Sequence, residues 1–121
     1  MGSRGGRRWK RGLAPDLGLG LTETTRKSLS HQIRRMMLRG LHESGEPESP
    51  VEMMERIPGA TLGLISYHAG ILRDYGVTRL QGEGQVRGAT QHFYVSAVAD
   101  DPEVEEVLTA TEAEDREPEA I

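Results

Sequence analysis

Few side chains in this 121-residue chain are of types that do covalent chemistry, and their spacing narrows the choice further. There is no Cys, which excludes a disulfide, a thiolate metal site and a thiol nucleophile. The four histidines, His31, His42, His68 and His92, stand at no close ligand spacing, so neither a metal nor a cofactor is expected. No Gly-rich phosphate loop runs into a Lys, and no Ser nucleophile beside a plausible base is expected. Paired carboxylates occur only in an acidic tail, so an enzyme is not expected. What remains are groups that recognise rather than react. Thr61, Gly63, Ser66, Tyr67 and His68 fall in one short run, Arg87 stands beside Gly88, and Arg34, Arg35 and Arg39 share one stretch. Hydroxyls donate or accept toward base edges and phosphates, arginines neutralise phosphates, and a glycine lets the backbone come close to one. Against this, no Lys or Arg occurs from Ala60 to Leu72, and phosphate neutralisation supplies most non-specific affinity.

These residues need elements to position them, and the apolar periodicity supplies three helices and a hairpin. Ile33, Met36, Met37 and Leu41 make one stripe of a helix over about Ser30–Ser44, stopped at Gly45. Gly40 within it costs about 1 kcal/mol relative to Ala, which implies close packing there. Ser49-Pro50 is a cap followed by Pro at the first helical position, and Val51, Met54 and Ile57 give that helix its apolar face. After the Pro58-Gly59 turn, Thr61 caps a third helix from Leu62 to Tyr75. Its inward stripe is Leu62, Ile65, Ala69 and Leu72, and Gly76 closes it. From Val77 the period becomes two. Val77–Gln81 and Gln91–Val95 read as a hairpin joined by a Gly-rich loop over Gly82–Thr90. The fold class is therefore mainly α with a small β-hairpin, a winged helix-turn-helix with a three-helix core and a wing between disordered termini.

Charge is divided by position. Arg4, Arg7, Arg8, Lys10 and Arg11 precede the first acid at Asp16, whereas ten acids follow Ala99 against Arg116 alone. The net charge of −4 conceals a basic arm, a neutral module and an acidic tail. The boundaries are a disordered arm over 1–26, the domain over 27–98 and the tail over 99–121. Asp101-Pro102 caps a possible short helix over 102–110 carrying Val104, Val107 and Leu108, and the tail from Glu112 is expected to be disordered. The charge split suggests an acidic tail that mimics DNA and folds back on basic surfaces. No apolar run is long enough to span a bilayer, and the expected location is cytoplasmic.

Leu64-Ile65-Ser66-Tyr67-His68-Ala69-Gly70-Ile71-Leu72, then Tyr75-Gly76-Val77, then Arg87-Gly88-Ala89-Thr90-Gln91-His92-Phe93-Tyr94 form an ordered set. Together they resemble the ArsR-like winged helix-turn-helix transcriptional regulators, in particular a cysteine-free, actinobacterial-type branch, over about 70 residues. The resemblance implies a homodimer that binds operator DNA, a double-stranded partner, through the third helix and the wing. It places Ile33, Met37 and Leu41, with Val104 and Leu108, at the dimer interface. The cysteine pairs of metal-sensing members are missing here, and Gly63 and Gly70 depart from the bulkier or polar residues common on the reading helix. The competing expectation is a winged-helix module that binds protein without sequence-specific DNA binding, which the uncharged third helix favours.

Overall fold

The computed structural model describes residues 23–116, apart from the side chain at 24. In chain order it contains α1 (Glu23–Ser28), α2 (Gln32–Ser44), α3 (Pro50–Arg56), α4 (Leu62–Asp74), β1 (Thr78–Val86), β2 (Ala89–Ser96), α5 (Pro102–Ala110) and α6 (Glu112–Asp115). The architecture is thus helices around a two-stranded antiparallel hairpin. Among the described residues, no helix is long and apolar enough to cross a membrane.

The expected helix boundaries follow from their caps. The Nδ1 of His31 accepts from the Ile33 amide at 3.2 Å to start α2. Gly45, at φ 70°, ends it by donating to the Leu41 carbonyl. Ser49 and Glu52 form a reciprocal capping box at α3, satisfying two amides that a helix start otherwise leaves unpaired. Gly59, at φ 79° after Pro58, lets Ala60 donate back to Ile57, the arrangement of a type II turn. Thr61 caps α4 by accepting from the Leu64 amide. At the far end Gly76 donates to Arg73 and Val77 donates to Leu72, with Gly76 at φ 79°. These two bonds make a Schellman closure, which buries Val77 and starts the hairpin at a fixed angle.

The core gathers Leu29, Ile33, Met37, Leu38, Leu41, Met53, Ile57, Ile65, Ala69, Leu72, Val77, Tyr94, Val104 and Leu108. Three stripes differ in detail from their expected form. In α2, Leu38 is fully buried while Met36 only packs against the core, and in α3 Met53 takes the deepest place. In α4, Leu62 is 42% exposed and His68 is buried in its stead. Gly40 has the close packing that its cost implied. The Arg56 guanidinium lies where a Gly40 side chain would go, donating to the Met36 and Met37 carbonyls and pairing with Glu48 at 2.7 Å.

The hairpin is longer than its sequence pattern. The expected loop over Gly82–Thr90 is instead strand, paired from Thr78↔Ser96 to Val86↔Ala89, and only Arg87 and Gly88 turn. Both have positive φ, 54° and 82°, which fits the twist of a two-residue hairpin turn. A bulge between Leu80 and Gly82 makes room for Gln81 without breaking the pairing. The alternation is hard to read because one face of this ribbon meets solvent and two glycines, Gly82 and Gly84, interrupt it. On its other edge β2 exchanges backbone bonds with Glu48, at 2.9 and 3.1 Å, which anchors the hairpin to the α2–α3 connection.

The termini also depart from expectation. Residues 1–22 of the expected disordered arm lie outside the described residues, but Glu23–Arg26 are helical in α1. The tail helix over 102–110 forms, capped by Asp101. The expected disorder from Glu112 is corrected over Glu112–Asp115, which form α6, and residues 117–121 lie outside the described residues. The cause is Asp115, which is 2% exposed and meets Arg35 at 2.8 and 2.9 Å and Arg39 at 3.2 Å. The acidic tail does fold back on arginines, but onto two that are themselves buried or half-buried.

Candidate nucleic-acid interface

The outward face of α4 carries Thr61, Gly63, Ser66 and Tyr67, all exposed, with Tyr67 at 64%. Thr61 sits at the helix N-terminus, where its hydroxyl oxygen already takes the Leu64 amide but its proton stays free to donate outward. No Cβ-sized obstacle surrounds Gly63, so its backbone is accessible to an incoming group. The first amides of a helix attract anions through their unpaired N–H groups and the helix dipole. The face therefore combines an amide-rich helix end, two hydroxyls and a phenol, with no cation until the exposed Arg73 in the last turn.

His68 does not belong with them. It is 4% exposed, its ring lies 4.4 Å from that of His31, and its Nδ1 faces the Arg34 guanidinium at 3.4 Å. Burial, with the His31 and Arg34 charges adding to it, lowers its pKa to about 4. The ring is neutral near pH 7 and offers no charge to a phosphate. Tyr67 packs edge-on against it, ring centres 5.1 Å apart, so His68 is a support on which Tyr67 rests.

The α2 arginines separate in the same way. Arg35 is 8% exposed and binds Asp115 and the Leu29 carbonyl, so its expected phosphate contact is corrected. Arg39 bonds the Leu108 carbonyl, the Thr111 hydroxyl and Asp115, and is likewise engaged. Arg34 is half-buried, with Nε on the Ser28 carbonyl at 2.9 Å. Successive helix positions are rotated by about 100°, which sends Arg34 toward α4 and its neighbour toward α6.

Arg87 stands at the hairpin tip, 63% of its side chain exposed, and pairs with Glu55 of α3. The hairpin thus presents its one turn cation on the α3 side. The sequence reading passed over two further cations. Arg26 and Lys27 are exposed on α1, whose last carbonyl holds Arg34, which in turn meets His68 of α4.

The five residues expected at a dimer interface are corrected as a group. Ile33, Met37, Leu41, Val104 and Leu108 are between 0 and 4% exposed within one chain. They hold α2 and α5 against the rest of the core and have no surface left for a second copy.

A further juxtaposition is invisible along the chain. His42 Nε2 lies 2.8 Å from the Ser96 hydroxyl, and Nδ1 lies 3.4 Å from Glu105. The expectation that no Ser stands beside a base therefore fails in space. Ser96 also accepts from the Val98 amide at 3.0 Å and is 7% exposed, so its hydroxyl is spent on tying α2 to the hairpin and α5. Among the described residues, no group of three or more His, Asp or Glu is placed to hold a metal ion.

Comparison of the chain with protein-family models and with curated proteins finds no match.

Proposed function

We propose that this chain is a DNA-binding transcriptional regulator of winged helix-turn-helix type, resembling the ArsR-like regulators. In this reading α3, the Pro58-Gly59 turn and α4 are the helix-turn-helix, and the β1–β2 hairpin is the wing. The observation that carries it is the pairing of an exposed polar α4 N-terminal face, Thr61, Ser66 and Tyr67, with an exposed hairpin-tip arginine, Arg87. A second helix docks its N-terminal side chains against base edges in the major groove, while a wing follows the backbone or the minor groove. In this reading Arg34, Arg26 and Lys27 supply phosphate contacts, adding to Arg73, the one cation of α4 itself, in its last turn. A homodimer is part of the proposal, as reading a two-fold operator requires. Its interface lies outside the five buried residues named above.

A second reading, a winged-helix module that binds protein, is favoured by one observation. Tyr67 and Leu62 are exposed at 64% and 42% on a helix that carries no cation before Arg73. Aromatic and apolar anchors of that kind suit a protein partner.

Fluorescence anisotropy with duplex from the region upstream of the chain's own coding sequence, repeated across salt concentrations, separates the two. Regulation predicts specific binding whose logarithm falls with log salt by about 0.9 per phosphate contacted. Tyr67→Ala and Arg87→Ala should both weaken it, the second with a shallower salt slope. Absence of binding at low salt would overturn the DNA reading in favour of the protein module.

A further inference from the structure

Beneath the hairpin base lies an open cleft of ≈ 690 Å³, bounded by the end of α2, the α2–α3 connection, both strands and the start of α5. Its size is that of a small-molecule site, which typically spans roughly 300–1,000 Å³. The charges around it are distributed by element. Arg79 comes from β1, Glu46 from the α2–α3 connection, and Asp100 and Glu105 from the α5 side. Arg79 is part-buried, yet among the described residues its guanidinium has no ion pair or hydrogen bond. The carboxylates of Glu46 and Asp100 likewise have no ion pair there. Glu105 lies 3.4 Å from His42 Nδ1, but Arg79, Glu46 and Asp100 line one cleft without meeting, which leaves both signs available to something between them. The part-buried His42–Ser96 pair adds polar atoms to the lining, as does Gln81, the residue accommodated by the β1 bulge. Bulges recur beside binding sites because they re-aim side chains.

The geometry points to a binding site for a small zwitterion with excess positive charge, the chemistry of a basic amino acid, its carboxylate on Arg79 and its ammonium groups among Glu46, Asp100 and Glu105. Arg79 is the only cation in the lining apart from the His42 ring, against four carboxylates including Glu43, so a ligand with one negative and two positive groups complements it. A bound ligand bridges the hairpin base to α2 and α5. The inference stands apart from the DNA reading, because it concerns a different face and needs no nucleic acid to test.

Calorimetric titration of the full chain with three probes decides it. L-lysine carries the carboxylate and both ammonium groups, cadaverine lacks the carboxylate, and 6-aminohexanoate lacks the α-ammonium. L-lysine should bind saturably and about tenfold or more tightly than either of the others. Arg79→Gln should bring L-lysine down to the affinity of cadaverine, and Asp100→Asn should weaken both. Thermal melts of the unliganded variants should stay close to the parent, since neither side chain has a hydrogen bond or ion pair to lose and Asp100 only approaches His42 at longer range. Absence of saturable L-lysine binding, equal affinity for L-lysine and cadaverine, or an Arg79→Gln variant that still discriminates them would each overturn the assignment.

Discussion

Replacing Asp115 with Asn should destabilise the whole domain, although the residue lies in a four-residue helix near the end of an acidic tail. Its carboxylate accepts from Arg35 Nε at 2.9 Å and Nη2 at 2.8 Å, and Arg39 Nη2 approaches at 3.2 Å. Gln32 Nε2 adds a weaker contact at 3.4 Å. Asn keeps the shape but removes the charge and turns one acceptor into a donor facing a guanidinium. Arg35, 8% exposed, is then a buried cation left with the Leu29 carbonyl and, at 3.8 Å, the exposed Glu114 carboxylate. Breaking a buried pair from one side costs about 3–5 kcal/mol, because the surviving charge stays desolvated. Arg39 keeps the Leu108 carbonyl and the Thr111 hydroxyl, which puts the expected loss at the lower end, about 3 kcal/mol. In a domain of this size each kcal/mol moves Tm by about 4–8 °C, so a fall of about 12–24 °C is expected. Urea and thermal unfolding followed by circular dichroism measure it, with an unchanged urea dependence showing that the folded state is the same.

Two controls sharpen the test. Removing both charges, as Arg35→Met with Asp115→Leu, should recover most of the loss, since no buried ion remains. The pH dependence has a definite sign. Burial alone would raise the Asp115 pKa, but the Arg35 and Arg39 bonds and charges outweigh it and hold it below the ordinary 3.8. A carboxyl lowered on folding contributes stability that is complete above its unfolded value and lost as pH falls through the folded one. The gap between parent and Asp115→Asn should therefore be constant near neutrality and close below about pH 4. A variant that melts within about 2 °C of the parent at pH 7 would refute the reasoning, because that corresponds to well under 1 kcal/mol.

Three further outcomes follow from single contacts. His68 should titrate near pH 4 by NMR, and because its folded value is depressed, its contribution to stability should be lost as pH falls from 6.5 toward 4; titration near 6.5 would show an exposed ring. Gly40→Ala should destabilise by roughly 1 kcal/mol, since displacing Arg56 costs more in hydrogen bonds than the helix gains. In an Arg56→Ala background the same change should reverse sign and stabilise by about 1 kcal/mol, and an unchanged sign would mean that Arg56 does not occupy that space. Arg87→Gly should leave folding stability equal or higher by up to about 1 kcal/mol, because glycine relieves a positive-φ position, while reducing the salt slope of DNA binding by about 0.9. Loss of stability without a change in slope would make Arg87 a turn residue only.

Local signals in the sequence determined where helices begin and end. Ser49, Thr61 and Asp101 cap with their own side chains, and Gly45 and Gly76 close with positive φ, so these boundaries depend on residues within a turn of each other. The change of period at Val77 placed the hairpin for the same reason, though its extent was hidden by Gly82, Gly84 and the Gln81 bulge, whose pairing is set by the partner strand. Tertiary structure decided everything that depends on which face meets which neighbour. Arg34 and Arg35 are adjacent in sequence, yet one lies beside α4 while the other is sealed under α6. Ile33, Met37, Leu41, Val104 and Leu108 have the apolar spacing of an interface and of a core alike, and only the docking of α5 onto α2 makes them core. The groups proposed to recognise DNA divide along that line. Ser66 and Tyr67 follow from the periodicity of α4 alone, whereas the burial of His68 comes from packing against His31 and Arg34 across a long sequence separation.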